Sequence, residues 1–223
     1  MKLDLAGGNT PQEGFESVDL YAPQARHRVD LFRFPYPWDD ASVAALHCSH
    51  FIEHIPAREV EERDFVRMTP RGDTGMLHAN RRFRDTILGK DMLYAFFDEC
   101  WRILQPRGKL RVVVPYGRSR RAFQDPTHRR FFVEETFAYL SRALRKQMGV
   151  AHYGGGVAGG PLCNFAIKLD VIVDDDIEAQ IRAVGESPVA RRRLLAGWDV
   201  ISDLAATLTK LAPDDEMFSD VEE

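Results

Sequence analysis

Three aspartates and a pair of glycines are the first residues with chemistry to offer. Asp4 sits in Leu3-Asp-Leu-Ala-Gly-Gly-Asn9, Asp19 follows Gly8 after ten residues, and Asp30 comes eleven positions later. Each lies within or at the end of a short apolar run of the kind that forms a strand. An ionised carboxylate only accepts hydrogen bonds, which suits it to hydroxyls, an amino group or a cation. One such Asp commonly starts a turn; three in succession point to a ligand. Gly7 and Gly8 lack the Cβ that would hold a ligand off the backbone. Further along, His50, Glu53 and His54 form an H-x-x-E-H run, and Asp125-Pro-Thr-His128 supplies another histidine. A histidine with a pKa near ~6.5 can take a proton from an attacking oxygen or nitrogen.

A glycine turn after a first strand serves two common ligands, a dinucleotide and S-adenosylmethionine. A dinucleotide needs G-x-G-x-x-G opening a helix, whose first N–H groups hold the pyrophosphate. That pattern is missing, and the ten residues between Gly8 and Asp19 include Pro11 and Gly14. They are too few for a helix followed by a strand. S-adenosylmethionine carries no phosphate. It needs acceptors for two ribose hydroxyls, which Asp19 offers, and a partner for the adenine amino group, which Asp30 offers. The residues therefore lead to an S-adenosylmethionine pocket.

H-x-x-E-H is also a zinc-protease signature when it lies on a long helix. Here it directly follows a strand-like run, and Pro56 comes two residues after His54. A helix can only just begin there. A zinc site also needs a third protein ligand, which the sequence does not place, so no metal is expected. His54 has a plain alternative role, bonding backbone in a turn. Asp125-Pro126 is likewise a standard helix start, with Asp as the cap; that reading is compatible with His128 at the mouth of a cleft. Arg118, Arg120, Arg121, Arg129 and Arg130 flank the same region, and Arg81, Arg82 and Arg84 fall in the stretch before it. They form either a solvated basic face or a set of forks for an anionic acceptor, such as a nucleotide or a nucleic acid. Tyr116, Phe123, Phe131 and Phe132 interleave with them, as base stacking would use and core packing equally so.

The elements that must position these residues alternate in type. Short strands are expected at 2–6, 16–20, 28–31 and 43–49, with a clear β-branched strand at 109–115. Before it, Leu93, Phe96, Phe97, Cys100 and Leu104 recur at helical spacing, with Asp98, Glu99 and Arg102 expected on the opposite, solvent face. A helix is expected over 133–144. A glycine-rich loop follows at 153–160, and 164–173 reads as an edge or antiparallel strand. The C-terminal part, about 176–212, reads as helical over 177–184 and 190–211. Apolar strands separated by helices describe a mostly parallel sheet covered on both faces. In such a sheet, ligands bind beyond the carboxyl ends of the strands.

Composition bounds the rest. With 223 residues, 44% hydrophobic and 29% charged, the chain suits one globular α/β domain over 1–212, with an insertion or lid at about 63–90. Thirty basic residues against thirty-four acids give a net charge of −4, which argues against a polycation built to coat nucleic acid. Six acids and no base make 213–223 a solvated tail, expected to fray. No apolar run reaches the ~20 residues of a membrane span. Asp4 interrupts any N-terminal export signal. Three scattered cysteines fit a reducing, cytoplasmic home.

Taken together, these motifs carry a resemblance. Leu3-Asp-Leu-Ala-Gly-Gly-Asn9 resembles the first motif of class I S-adenosylmethionine-dependent methyltransferases. The stretch from Val29 to Pro56 resembles their third and fourth strands, through Phe34-Pro-Tyr-Pro-Trp38, Asp40-Ala-Ser42 and Ser49-His-Phe-Ile-Glu-His-Ile55. Phe97 to Pro115 is similar to their following helix and fifth strand. The resemblance covers about residues 1–140. The short connection after Gly8 and Asp125-Pro-Thr-His128 with Phe131-Phe132 resemble a compact subgroup found in phages and bacteria. Two positions depart from the pattern: Ala6 and Arg107 stand where the family usually has glycine.

The resemblance implies a Rossmann-like fold with a mostly parallel seven-stranded sheet, helices on both faces, and methyl transfer to oxygen or nitrogen. Asp4, Ala6, Gly7 and Gly8 would face the methionyl part of the cofactor. Asp19 would take the ribose hydroxyls, Leu20 would pack on the adenine, Asp30 and Leu31 would address its edge, and His50 would line the cleft. His128, Glu53 and His54 are the candidate proton acceptors. Tyr116, Asp125 and Arg129 would meet the acceptor. Two other classes are kept: a non-catalytic module of this fold that binds a partner, and a nucleic-acid-binding protein using the arginine loops. Oligomeric state is not readable.

Overall fold

The computed structural model describes residues 1–66, 84–153, 160–183, 187–189, 195–212 and 215. Its frame is a mixed sheet of six strands among the described residues: β1 (Lys2–Leu5), β2 (Glu16–Val18), β3 (Val43–Ser49), β4 (Leu104–Pro115), β5 (Phe165–Val173) and β6 (Ile201–Lys210). Their order is β2-β1-β3-β4-β6-β5. The first four run parallel, and β6 is antiparallel to both β4 and β5. Strand order reverses between β1 and β3, because the chain leaves β1 toward one edge and returns at β3 to build toward the other. The carboxyl ends of those two strands are therefore the expected ligand crevice.

Six strands stand where seven were expected. The missing one is 28–31. The chain pairs with β2 only at the preceding residue, with His27 N–H donating to Ser17 O and Asp19 N–H to His27 O. The chain then turns at Asp30, whose side chain accepts from Phe32 N and whose carbonyl accepts from Arg33 N. A local side-chain bond has outcompeted the ladder. The connections 6–15 and 19–42 contain no helix. Covering is instead supplied by Phe34, Tyr36 and Trp38, all buried in the main core and in mutual ring contact.

The α-helices described from end to end are α1 (Met92–Ile103), α2 (Arg121–Gln124), α3 (Glu134–Ala138), α4 (Arg142–Gln147) and α5 (Asp175–Ala183). α1 is capped by Asp91, which accepts from Leu93 N. Its apolar stripe is buried as expected, but Asp98 and Glu99 are buried as well, at 3% and 0% exposure. They do not form a solvent face. Asp98 pairs with buried Lys90 at 2.5 Å and accepts from Leu162 N and Cys163 N. Glu99 accepts from Tyr36 N and from Arg102. Each acid therefore ties a distant segment to the helix. Burial raises both carboxyl pKa values, against the pull of Lys90 and Arg102.

The helix expected over 133–144 is broken into α3 and α4. Ser141 restarts it by accepting from Leu144 N, while Asn164 Oδ1 accepts from Arg142 N. The larger correction concerns the C-terminus. The second half of the segment expected to be helical, 190–211, holds β6, inserted between β4 and β5. Ile201–Ala206 is buried continuously. A strand buried on both faces shows no alternation, and Leu-Ala-Ala-rich composition then suggests a helix. The edge strand expected at 164–173 is β5. Of the insertion 63–90, residues 67–83 lie outside the described residues. Its flanks are packed, with Asp64, Ile87 and Lys90 buried. Of the tail, 213–214 and 216–223 lie outside the described residues; Asp215 O accepts from Asn164 Nδ2. Among the described residues no helix is long and apolar enough to cross a membrane.

Candidate functional site

The turn after β1 is built from within. Ala6 and Gly8 both take left-handed conformations, with φ of 58° and 57°. Ala6 N–H donates to Val18 O, Gly7 N–H to Asp4 O, and the Ser17 hydroxyl to Gly8 O. Asp4 is 3% exposed and both its oxygens are engaged, Oδ2 by Gln12 N and Oδ1 by His47 Nδ1. A Cβ on Gly7 would stand 2.8 Å from the Asp4 carboxyl carbon, so the close approach that requires glycine is to Asp4 itself. Asp4 thus acts on the turn's shape.

Asp19 is half-buried beyond β2. Its Oδ1 accepts from Tyr21 N and Ala22 N at 2.7 and 2.8 Å. Among the described residues no hydrogen bond reaches Oδ2. Leu20 is 37% exposed beside it. Asp30 accepts from Phe32 N and pairs with Arg33 at 3.3 Å. Leu31 is 6% exposed and belongs to the core, with its carbonyl accepting from Tyr36 Oη.

A second group gathers beyond β3 and β4. His50 leaves β3 with a φ of 51°, an uncommon conformation for a residue with a Cβ. Ile52–His54 is a single 3-10 turn, so H-x-x-E-H lies on no long helix. Glu53 O accepts from Arg129 N and Arg130 N at 2.7 and 3.1 Å, and the Arg130 guanidinium donates to Ile55 O, Pro56 O and Asp91. These bonds stitch 127–130 onto the turn and bring His128 against His54, ring centroids 4.8 Å apart. One ligand atom each from Glu53, His54 and His128 falls within 4.8 Å of the others. The three candidate proton acceptors, far apart in sequence, are therefore one cluster.

Its electrostatics are unusual. Glu53 is 1% exposed, and neither carboxylate oxygen has a hydrogen-bond partner among the described residues. His50 Nδ1 stands 3.4 Å from Glu53 Oε1, an ion-pair distance without hydrogen-bond geometry, and Glu53 raises the His50 pKa. Asp203, on β6, is similarly buried, with Oδ1 unbonded and Oδ2 held by Arg121 at 3.0 Å. Burial raises its pKa. The sequence reading missed Asp203; a lone acid within the apolar run 201–208 is the signal that could have found it.

The acceptor side is more mixed. Asp125 Oδ1 accepts from the backbone N–H and hydroxyl of Thr127, which lowers its pKa. Arg129 is exposed and Tyr116 is 6% exposed within the core. Phe132 is buried, but Phe123 and Phe131 are exposed and stacked at 4.7 Å, with exposed Trp198 stacked on Phe123 at 6.2 Å. Trp198 was not anticipated. Much of the basic patch is neutralised internally: Arg120 pairs with Asp199, Arg121 with Asp203 and Asp174, Arg130 with Asp91, and Arg118 donates to Ala196 O. A cavity of about 320 Å³ lies elsewhere, between α1 and residues 132–140, lined by Leu93, Tyr94, Phe97, Phe137 and Tyr139 among others. None of its lining residues belongs to the cluster or the β1 turn.

No family model matches the chain, and no curated protein does. Solved structures do. A SAM dependent methyltransferase from Archaeoglobus fulgidus superposes with a TM-score of 0.52 at 16% identity, covering 94% of this chain and 85% of that one. An S-adenosylmethionine dependent methyltransferase from Mesorhizobium loti gives 0.44 at 13% identity, covering 94% and 90%. The first likeness carries the fold. The chain has the Rossmann-like fold of the class I S-adenosylmethionine-dependent methyltransferases.

Proposed function

We propose that the protein is an S-adenosylmethionine-dependent methyltransferase acting on an oxygen or nitrogen of an anionic acceptor. The observation that carries the reading is the pair formed by the β1 turn and Asp19. The turn is tight, lacks a helix N-terminus for a pyrophosphate, and leads to a carboxylate whose Oδ2 is still open. That combination suits a nucleoside with two hydroxyls and no phosphate. The sulfonium charge would be comfortable near the carboxylate of Asp19.

The cofactor, when bound, supplies an activated methyl group. The chain's share is to hold the nucleophile in line and to receive its proton. The Glu53, His54 and His128 cluster beyond β3 and β4 is placed for the second task. Exposed Arg129 and the Phe123, Phe131 and Trp198 stack suit a flat, negatively charged acceptor. The internal pairing of Arg120, Arg121 and Arg130 speaks against extended nucleic-acid coating.

Calorimetry with S-adenosylmethionine tests the reading. Asp19→Asn keeps an acceptor for Tyr21 N and Ala22 N while replacing Oδ2 by an NH2 donor. The expected result is binding by the wild type and roughly 10- to 100-fold weaker binding by the variant, as for loss of a charged hydrogen bond. Unchanged affinity would overturn the placement of the ribose, and absence of wild-type binding the whole reading.

A further inference from the structure

The hydrogen-bond network around the histidines determines where their lone pairs lie. Thr127 Oγ1 gives its one proton to Asp125 Oδ1 at 2.7 Å, so at 2.9 Å it can only accept from His54 Nδ1. The carbonyl of Ala122 can likewise only accept, so His128 Nδ1 carries the proton in their 2.9 Å contact. Both imidazoles, when neutral, are thereby held in the tautomer with Nε2 unprotonated. Beside them lies a buried carboxylate with no donor on either oxygen. One ring nitrogen of each imidazole and one oxygen of this carboxylate lie within 4.8 Å of one another, a spacing at which three groups can share a metal ion.

We propose that Glu53, His54 and His128 bind a divalent first-row transition metal ion through a carboxylate oxygen and the two Nε2 atoms. Two imidazoles and one carboxylate, with positions left open for water or substrate, make a donor set that suits Zn²⁺, Co²⁺, Fe²⁺ or Mn²⁺ better than Mg²⁺, which favours oxygen ligands. The outer partners take their usual form, one imidazole N–H donating to a backbone carbonyl and the other to a hydroxyl backed by a carboxylate. The third ligand that spacing alone could not place is His128, carried in by the Arg129 and Arg130 backbone bonds to Glu53 O. The ion would stand beyond β3 and β4, where it could polarise an acceptor hydroxyl or amine; with it bound, the three side chains would act through the ion rather than take the proton themselves. That use rests on the methyl-transfer reading; binding of the ion does not.

Titration of the chelator-treated full chain with Co²⁺ tests this. One equivalent per chain is expected, with visible d–d absorption, and Zn²⁺ should displace it. His54→Ala and His128→Ala should each weaken Co²⁺ binding at least ~10-fold. Thr127→Val, which touches only the outer partner of His54, should weaken it by roughly 10-fold. Circular dichroism of each variant checks folding, and His128, half-buried on a loop, is the variant least exposed to that risk. Absence of stoichiometric uptake of Co²⁺ and Zn²⁺, or uptake indifferent to both histidine substitutions, would overturn the proposal. Metal uptake without S-adenosylmethionine binding would leave it standing and remove the methyl-transfer reading instead.

Discussion

Two sets of buried acids in this protein behave oppositely. Asp4, Asp98 and Glu99 are wrapped in donors, from backbone N–H groups, an imidazole, an ammonium and a guanidinium. Glu53 and Asp203 are just as buried, yet three of their four carboxylate oxygens have no hydrogen-bond partner among the described residues. Burying a carboxylate short of hydrogen bonds is costly in general, even with the ion pairs that His50 and Arg121 provide here. A chain that satisfies the first set so fully has the means to satisfy the second. The contrast teaches that the first set belongs to the architecture, whereas the second is left short of hydrogen bonds by it.

The largest expected effect sits on the satisfied side. Asp98→Ala leaves Lys90 buried without its partner and two backbone N–H groups without an acceptor. A loss of about 3–5 kcal/mol in urea unfolding is expected. Glu53→Gln, measured the same way on metal-free protein, removes a charge with no hydrogen-bond donor and only His50 at ion-pair distance, so the buried charge's cost offsets the lost pair and a change within about 1 kcal/mol is expected, in either direction. If both variants lose several kcal/mol, the two sets are alike and the contrast fails.

Smaller effects sharpen it. Ala6 and Arg107, the two places where resemblance calls for glycine, have φ of 58° and 64°. Left-handed backbone costs a residue with a Cβ about 1–2 kcal/mol, part of which is offset because glycine loosens the unfolded chain. Ala6→Gly and Arg107→Gly should each stabilise by about 0.5–1 kcal/mol in thermal unfolding. A destabilised Ala6→Gly would mean that the methyl group contributes packing that the turn requires.

Smallest is a pH effect. The Arg58 guanidinium, bonded at 2.6 and 2.7 Å, holds the Asp64 carboxyl below its ordinary value. A carboxyl whose folded pKa is depressed contributes stability at pH above its unfolded pKa, near ~3.9, and that contribution is lost as pH falls through the folded value. Stability followed from pH 6 to pH 2 should decline less steeply in Arg58→Ala than in wild type. Equal slopes would show that the pair is not what lowers the pKa.

Legibility followed the reach of each interaction. β1, β3, β4, α1 and α5 were readable because apolar runs and periodicity are local properties. Asp98 and Glu99 were assigned to the wrong environment because their partners lie 64 or 63 residues away, at Leu162 and Tyr36. The strand at 28–31 failed because the Asp30 side chain offers the backbone a nearer partner than β2 does. β6 was misread because its neighbours on both sides come from remote segments, so burial on both faces erased the pattern a single strand would display.

By itself, the sequence determined an α/β chain with carboxylates and glycines at the ends of its first strands, and it named Glu53, His54 and His128 as separate candidates. Only tertiary structure decided that these three meet, which nitrogen of each imidazole is left bare, and that Glu53 has no donor. The reason is physical: residue types and local turns are encoded along the chain, whereas the satisfaction of a buried polar group depends on whichever distant atoms folding brings beside it.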